Sequence, residues 1–251
     1  MILVTAKQHF DDDMNRAQAL WDHAAGLDDE PLKNDILRAV WMMSVGACDA
    51  FFCDAYADIV SRTLRAKNLQ STGRLPNRLG NLKVPVVAIL NREDGWRWRM
   101  AARELVENEN VLSIEKIRGL MNLFCRDNHK LMNKTTIGNW MDHVNARQRM
   151  FGVARNNYRR ANQRTKTVLQ KSAVKQLEKR MAEIFQRRHD CIHNCDRPRT
   201  APQIISVNMV EKAKQDICFL VERCCEHMRA EFTEYLRTHR FIGATRNQVG
   251  A

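Results

Sequence analysis

An all-α fold is what this chain predicts: a helical bundle with long core helices and a loop-rich insertion. Apolar residues recur at helical spacing through most of its 251 residues. Alternating apolar and polar residues are confined to one possible strand at 84–90, which Pro85 interrupts. Start and stop signals separate the periodic segments.

The first short helix is expected at 12–25. A long helix should start at Pro31, behind Asp29 and Glu30, and run to about Ala66, with Ile36, Val40, Trp41, Val45, Cys48, Phe52, Ala55 and Ile59 inward. Gly73, Pro76, Gly80, Pro85 and Gly95 break residues 67–98 into a loop-rich excursion, which Trp96 and Trp98 would pack down. Ser113 can cap a helix at 114–126, and further helices are expected at 136–151 and 158–170. A helix at 172–194 stops before Pro198 and Pro202. The last helix, near 207–239, opens on a capping-box-like Asn208-x-x-Glu211, and the chain frays from about Gly243. The expected organisation is an acidic segment at 1–30 packed on one domain at 31–240, with the insertion at about 67–165 and a tail at 241–251.

Hydrophobic content of 44% is ordinary for a globular chain. No run approaches 18 uncharged apolar residues, and the first residues meet Lys7 and Asp11–Asp13 too early for a signal peptide. The expectation is a cytoplasmic protein with no membrane partner. Eight cysteines at mostly apolar helical positions form no pair of CxxC motifs, so free buried thiols are expected, with no redox role.

Chemistry concentrates in Arg187-Arg188-His189-Asp190-Cys191-Ile192-His193-Asn194. Arg188 lies four residues after Ile184, on a stripe formed by Val174, Leu177, Met181, Ile184 and Ile192. A permanent charge on a core-facing stripe calls for a partner or a ligand. His193 follows five residues later. A guanidinium forks onto phosphate oxygens and imidazole exchanges protons near neutrality, so the pair suits phosphodiester chemistry without a metal. Asp49, on the face of the long helix that carries Val45 and Phe52, is the expected partner of Arg188.

The run from Arg188 to His193, with a polar residue directly after the Arg, resembles the R-x4-6-H signature of HEPN domains (higher eukaryotes and prokaryotes nucleotide-binding). The wider Arg187-Arg188-His189-Asp190-x-Ile192-His193 is similar to the RiboL-PSP-HEPN branch. The segment from Ser44 to Asp54 resembles the early helix of that branch, in which an Ala/Leu-Asp-Ala-aromatic run precedes the motif helix by over a hundred residues. The likeness covers residues 32–66 and 172–238 by pattern; residues 67–165 are not matched. It implies a helical domain, commonly a homodimer, in which two motifs face one cleft and cut RNA without a metal. Such domains recur in bacterial toxin and anti-phage defence systems, which adds an inhibitor or defence-system protein as an expected partner. Asn194 and Cys195 depart from the basic residue that relatives often carry just after the motif His.

Net charge is +12, and residues 147–188 alone hold nine Arg and four Lys against Glu178 and Glu183. Within that stretch Arg155, Arg159, Arg160, Arg164, Lys166 and Arg187 are the expected RNA contacts, with Phe151 and Tyr158 able to stack on bases. Residues 11–35 show the opposite balance, seven Asp and one Glu against Arg16 and Lys33. That acidic segment is either a solvated face or a cover for the basic surface.

Arg188 and His193 are therefore the candidate catalytic pair, with His189, Asp190, Asn194 and Asp49 in support. Five residues turn an α-helix by about 140°, so one copy separates the pair, and a cleft shared by two subunits is expected. No cofactor and no metal are called for. A zinc site begun by His189 and His193 lacks a second ligand pair, because Cys191 and Cys195 point elsewhere. A helix-turn-helix regulator would also be basic and helical, but no such short spacing stands out. The main alternative to an endoribonuclease is a non-catalytic HEPN-type module that binds RNA, a nucleotide or a partner protein.

Overall fold

The structure is a computed structural model that describes residues 1–75, 79, 98–100, 102–103, 111–197 and 201–250. The expected strand at 84–90 and Trp96 lie outside these residues. Among the described residues all regular structure is helical: α1 (Val4–Ala25), α2 (Glu30–Leu69), α3 (Ile114–Met121), α4 (Lys134–Asp142), α5 (Gln148–Phe151), α6 (Arg155–Arg160), α7 (Gln163–Asn194), α8 (Val207–Thr238) and α9 (Gly243–Gln248).

Local chemistry explains most boundaries. Ser113, Asn133 and Asn162 each accept a hydrogen bond from the backbone N–H three residues on, so α3, α4 and α7 begin where a side-chain oxygen satisfies an orphan amide. The start of α8 corrects the expected capping box. Ser206 Oγ accepts from Met209 N at 3.3 Å, two residues earlier than Asn208. The two helices expected at 158–170 and 172–194 are replaced by a short α6 and a continuous α7, because Gln163–Asn194 contains neither Gly nor Pro. The helix expected at 136–151 is two helices. His143 turns extended, and its Nδ1 accepts from Asn145 N at 3.1 Å, which breaks the ladder between α4 and α5.

Two compact units form. A terminal unit comprises residues 1–7, 50–131 and 224–251, and a motif unit comprises 8–49 and 132–223. The core of the terminal unit has Phe124 edge-on to Tyr56 at 6.0 Å and to Tyr235 at 5.4 Å. Its tail corrects the expectation of fraying: α9 is helical, Val249 is 1% exposed, and the Val249 carbonyl accepts from Arg62 Nη1 at 2.5 Å.

α2 also departs from expectation. Among the described residues it is the helix long and apolar enough to cross a membrane, with half of its most apolar 18-residue window buried in the protein. A count of uninterrupted apolar residues misses this because Asp49 and Asp54 punctuate the stretch. Those carboxylates, and the burial of Val40, Trp41, Val45, Cys48, Phe52 and Ile59, are what a core helix carries.

In the terminal unit Arg126 holds Glu231 in a fork at 2.8 and 2.9 Å, His129 Nδ1 lies 3.2 Å from the same carboxylate, and His227 Nε2 donates to the His129 carbonyl at 2.8 Å. Burial holds His227 below its ordinary pKa, despite opposing effects of the His129 carbonyl and Glu231. Burial alone would raise Glu231; the Arg126 hydrogen bonds and the charges of Arg126, His129 and His227 together lower it. Both groups bind protons more readily in the unfolded chain, so acidification destabilises the fold. His227 acts as the pH falls through and below its unfolded value of 6.5, and Glu231 only below 4.5, as its folded pKa is approached. His227→Gln should therefore lose less Tm than wild type between about pH 7 and about pH 5. An identical loss would assign the acid limb to other groups.

Candidate functional site

The motif occupies the last two turns of α7, in the motif unit. The helix ends there on two consecutive left-handed residues, Cys195 at φ 47° and Asp196 at φ 58°. This backbone is unfavourable for side chains other than Gly and Asn or Asp, so something must hold it. The amides of Cys195 and Asp196 both donate to the Asp190 carbonyl. The Asp196 side chain, 0% exposed, does the rest: its Oδ2 accepts from Arg38 Nε at 2.8 Å and from Arg187 Nη2 at 2.9 Å.

This cluster corrects the identity of the misplaced charge. The apolar stripe of α7 runs through Leu177, Met181 and Ile184 and then steps three residues to Arg187 and four to Cys191; Ile192 is 49% exposed. The buried guanidinium is that of Arg187, at 7% exposure, lying 5.0 Å over the Trp41 ring. Its Nη2 also donates to the Ile204 carbonyl at 3.1 Å, and Arg38 Nη2 donates to the Gln203 carbonyl at 3.1 Å. Trp41 Nε1 donates to the Ile184 carbonyl at 3.0 Å and ties α2 to α7. Arg187 is thus a clasp for the end of α7, and its burial removes it from the expected RNA contacts.

Arg188 is half-buried on another side of the helix. There its charge reaches Asp49, although no hydrogen bond or ion pair joins the two side chains. Burial raises the Asp49 carboxyl above its ordinary pKa, and the positive charge of Arg188 partly offsets that rise. Asp190 is braced rather than free: its Oδ1 accepts from Gln186 Nε2 at 3.0 Å and its Oδ2 from Gln203 Nε2 at 3.1 Å. His189 and His193 are exposed and lie ring to ring, with centroids 4.3 Å apart, as an i, i+4 pair must. Asn194 is exposed, and its carbonyl accepts from Arg197 N at 2.8 Å. The structure therefore brings together His189 with His193, and leaves Arg188 and Asp49 without a direct ion pair. It leaves Arg188 and His193 about 140° apart around one helix.

The basic segment sorts itself by burial. Tyr158 is 6% exposed with its hydroxyl accepting from Gln170 Nε2 at 2.7 Å, and Phe151 is 2% exposed beside Phe219. Neither ring is open to a base, which corrects the stacking role expected of them. Arg155 Nε donates to the Asp142 carbonyl at 2.6 Å and Arg159 Nε pairs with Asp142 Oδ1 at 3.2 Å. Arg160 and Arg164 are exposed, and Lys166 lies 5.6 Å over the Tyr158 ring.

Sequence reasoning missed Arg38, Trp41, Asp196 and Gln203, which fix the motif in place. The doublet Arg187-Arg188 offered a choice of which Arg lies on the stripe, and Asp196 two residues past the helix end was the available sign of its partner. Among the described residues no three His, Cys, Asp or Glu side chains converge as metal ligands. The Cys191 thiol is pushed up to about 11, by burial first and by Asp196 next, and so stays protonated. A cavity of about 790 Å3 belongs to the terminal unit, lined by Ile2, Arg229, Phe232 and Asn247 among others, and holds none of the motif residues. No family model, no curated protein and no solved structure matches this chain.

Proposed function

We propose that this chain is a metal-independent endoribonuclease of HEPN type, acting as a homodimer in the cytoplasm within a bacterial toxin or anti-phage defence system. One observation carries the reading: the motif ends a helix whose terminus is clamped by Asp196, so that Arg188 and His193 are held by a rigid support instead of a mobile loop. The resemblance of 44–54 and 187–193 to HEPN segments supports it.

In this mechanism His193 takes the proton of a ribose 2′-hydroxyl, and the 2′-oxygen forms a bond to the adjacent phosphorus. The bond from phosphorus to the 5′-oxygen breaks, and His193 of a second copy protonates the departing oxygen. Arg188 holds the phosphate and stabilises the charge gathered on its equatorial oxygens. Asp49 orients Arg188. His189, packed on His193, limits the positions that ring adopts, and Asp190 and Asn194 complete the turn that presents it.

Purified protein should cut RNA in excess EDTA, leave 2′,3′-cyclic phosphate and 5′-hydroxyl ends, and spare a substrate with a 2′-deoxy residue at the cut. Cleavage of that substrate, or 5′-phosphate ends, would rule out internal attack. The second reading is a non-catalytic RNA-binding or protein-interaction module regulated by an inhibitor or defence-system partner. It is favoured by the 140° between Arg188 and His193 in one copy, and a folded protein that binds RNA without cutting it would select it.

A further inference from the structure

The exposed face of α7 continues from the two histidines toward the start of the helix. Arg164, Val168, Lys171, Lys175, Lys179, Gln186, His189 and His193 are all exposed. At 3.6 residues per turn they fall within about 80° of one another, a single straight stripe some 43 Å long. Arg164, Lys171, Lys175 and Lys179 make no ion pair among the described residues. Of the two carboxylates in this part of the helix, Glu183 pairs with Arg180 at 3.7 Å and Glu178 is half-buried at the edge of the stripe. Lys171, Lys175 and Lys179 step along the axis by about 6 Å each, comparable to the separation of successive phosphates on a nucleic-acid strand.

What the stripe lacks is as informative as what it carries. It has no Phe, Tyr or Trp, the rings of His189 and His193 stand only at its far end, and the three rings of the basic segment, Phe151, Tyr158 and Phe185, are buried. A protein that captures single strands supplies stacking platforms for unpaired bases. A bare row of ammonium groups supplies only phosphate contacts, which suits RNA whose bases are already paired and stacked on each other and which is recognised through its backbone. We infer that the exposed face of α7 is a rail for the phosphate backbone of base-paired RNA, leading it from Arg164 through Lys171, Lys175 and Lys179 to His189 and His193. From Lys171 to His193 the rail spans about 33 Å, on the order of one duplex turn. This assigns a substrate class to the site proposed above and rests on that reading for its chemistry, although the binding stands apart from it.

The test uses the full chain and a fluorescent 2′-O-methyl RNA hairpin, which internal attack cannot cut, so binding is read whether or not the protein is a nuclease. Lys171→Gln/Lys175→Gln/Lys179→Gln is compared with a charge-matched control, Lys134→Gln/Lys212→Gln/Arg240→Gln, after circular dichroism shows both to be folded. The rail variant should bind about tenfold or more weakly than the control, with a salt slope smaller by about 2 to 3, one phosphate contact per lysine. Equal losses in the two variants would overturn the rail. Tighter binding of a single strand of the same length would overturn the base-paired substrate. Displacement of the hairpin by polyglutamate of equal charge at lower concentration would assign the face to an acidic protein partner and overturn the RNA reading of it.

Discussion

Asp196→Ala should cost roughly 3 to 5 kcal/mol of folding stability, because it leaves a buried cation without its counterion. Arg187 is 7% exposed and cannot turn its head to water without leaving Trp41, whereas Arg38, at 16% side-chain exposure, keeps a second partner in Asp35 at 3.1 Å. Arg187 therefore bears most of the penalty. The left-handed pair Cys195–Asp196 also loses the ionic anchor that offsets its backbone cost. Denaturant unfolding measures the loss. Hydrogen exchange should show the last turn of α7 opening before the rest of the helix. A loss under about 1 kcal/mol would mean that water solvates Arg187 and that the clasp is decorative.

His193→Ala should lower RNA cleavage by about 100- to 10,000-fold, the range of a lost general acid or base, and Arg188→Ala by about 100-fold or more through loss of charge stabilisation. His193 is exposed, so its variant should keep wild-type stability. Heterodimers of wild type and His193→Ala then separate the two geometries. If one cleft draws essential groups from both copies, they should retain far less than half of wild-type activity, while independent sites would retain about half. Undiminished cleavage by folded His193→Ala would remove His193 from the chemistry. A monomer by light scattering that still cuts with the same end groups would require one chain's Arg188 and His193 to act alone.

Much of this was legible without coordinates because helices answer to local rules. The bounds of α2 and the cap at Ser113 follow from apolar periodicity and a side-chain oxygen placed to meet an orphan amide. Errors fell where a local pattern left two options open. The strict i, i+4 count from Ile184 selected Arg188, while the i+3 step of the same helix buried Arg187.

By itself the sequence determined that the chain is all-α, that its cations gather before the motif, and that one helix separates Arg188 from His193, since each depends only on composition and the pitch of a helix. Tertiary structure decided which Arg is buried, that Asp196 receives it, and that Tyr158 and Phe151 are closed to bases. The choice of Arg turns on partners more than a hundred residues distant, Arg38 and Trp41, and no local preference encodes which of two neighbouring side chains will find them.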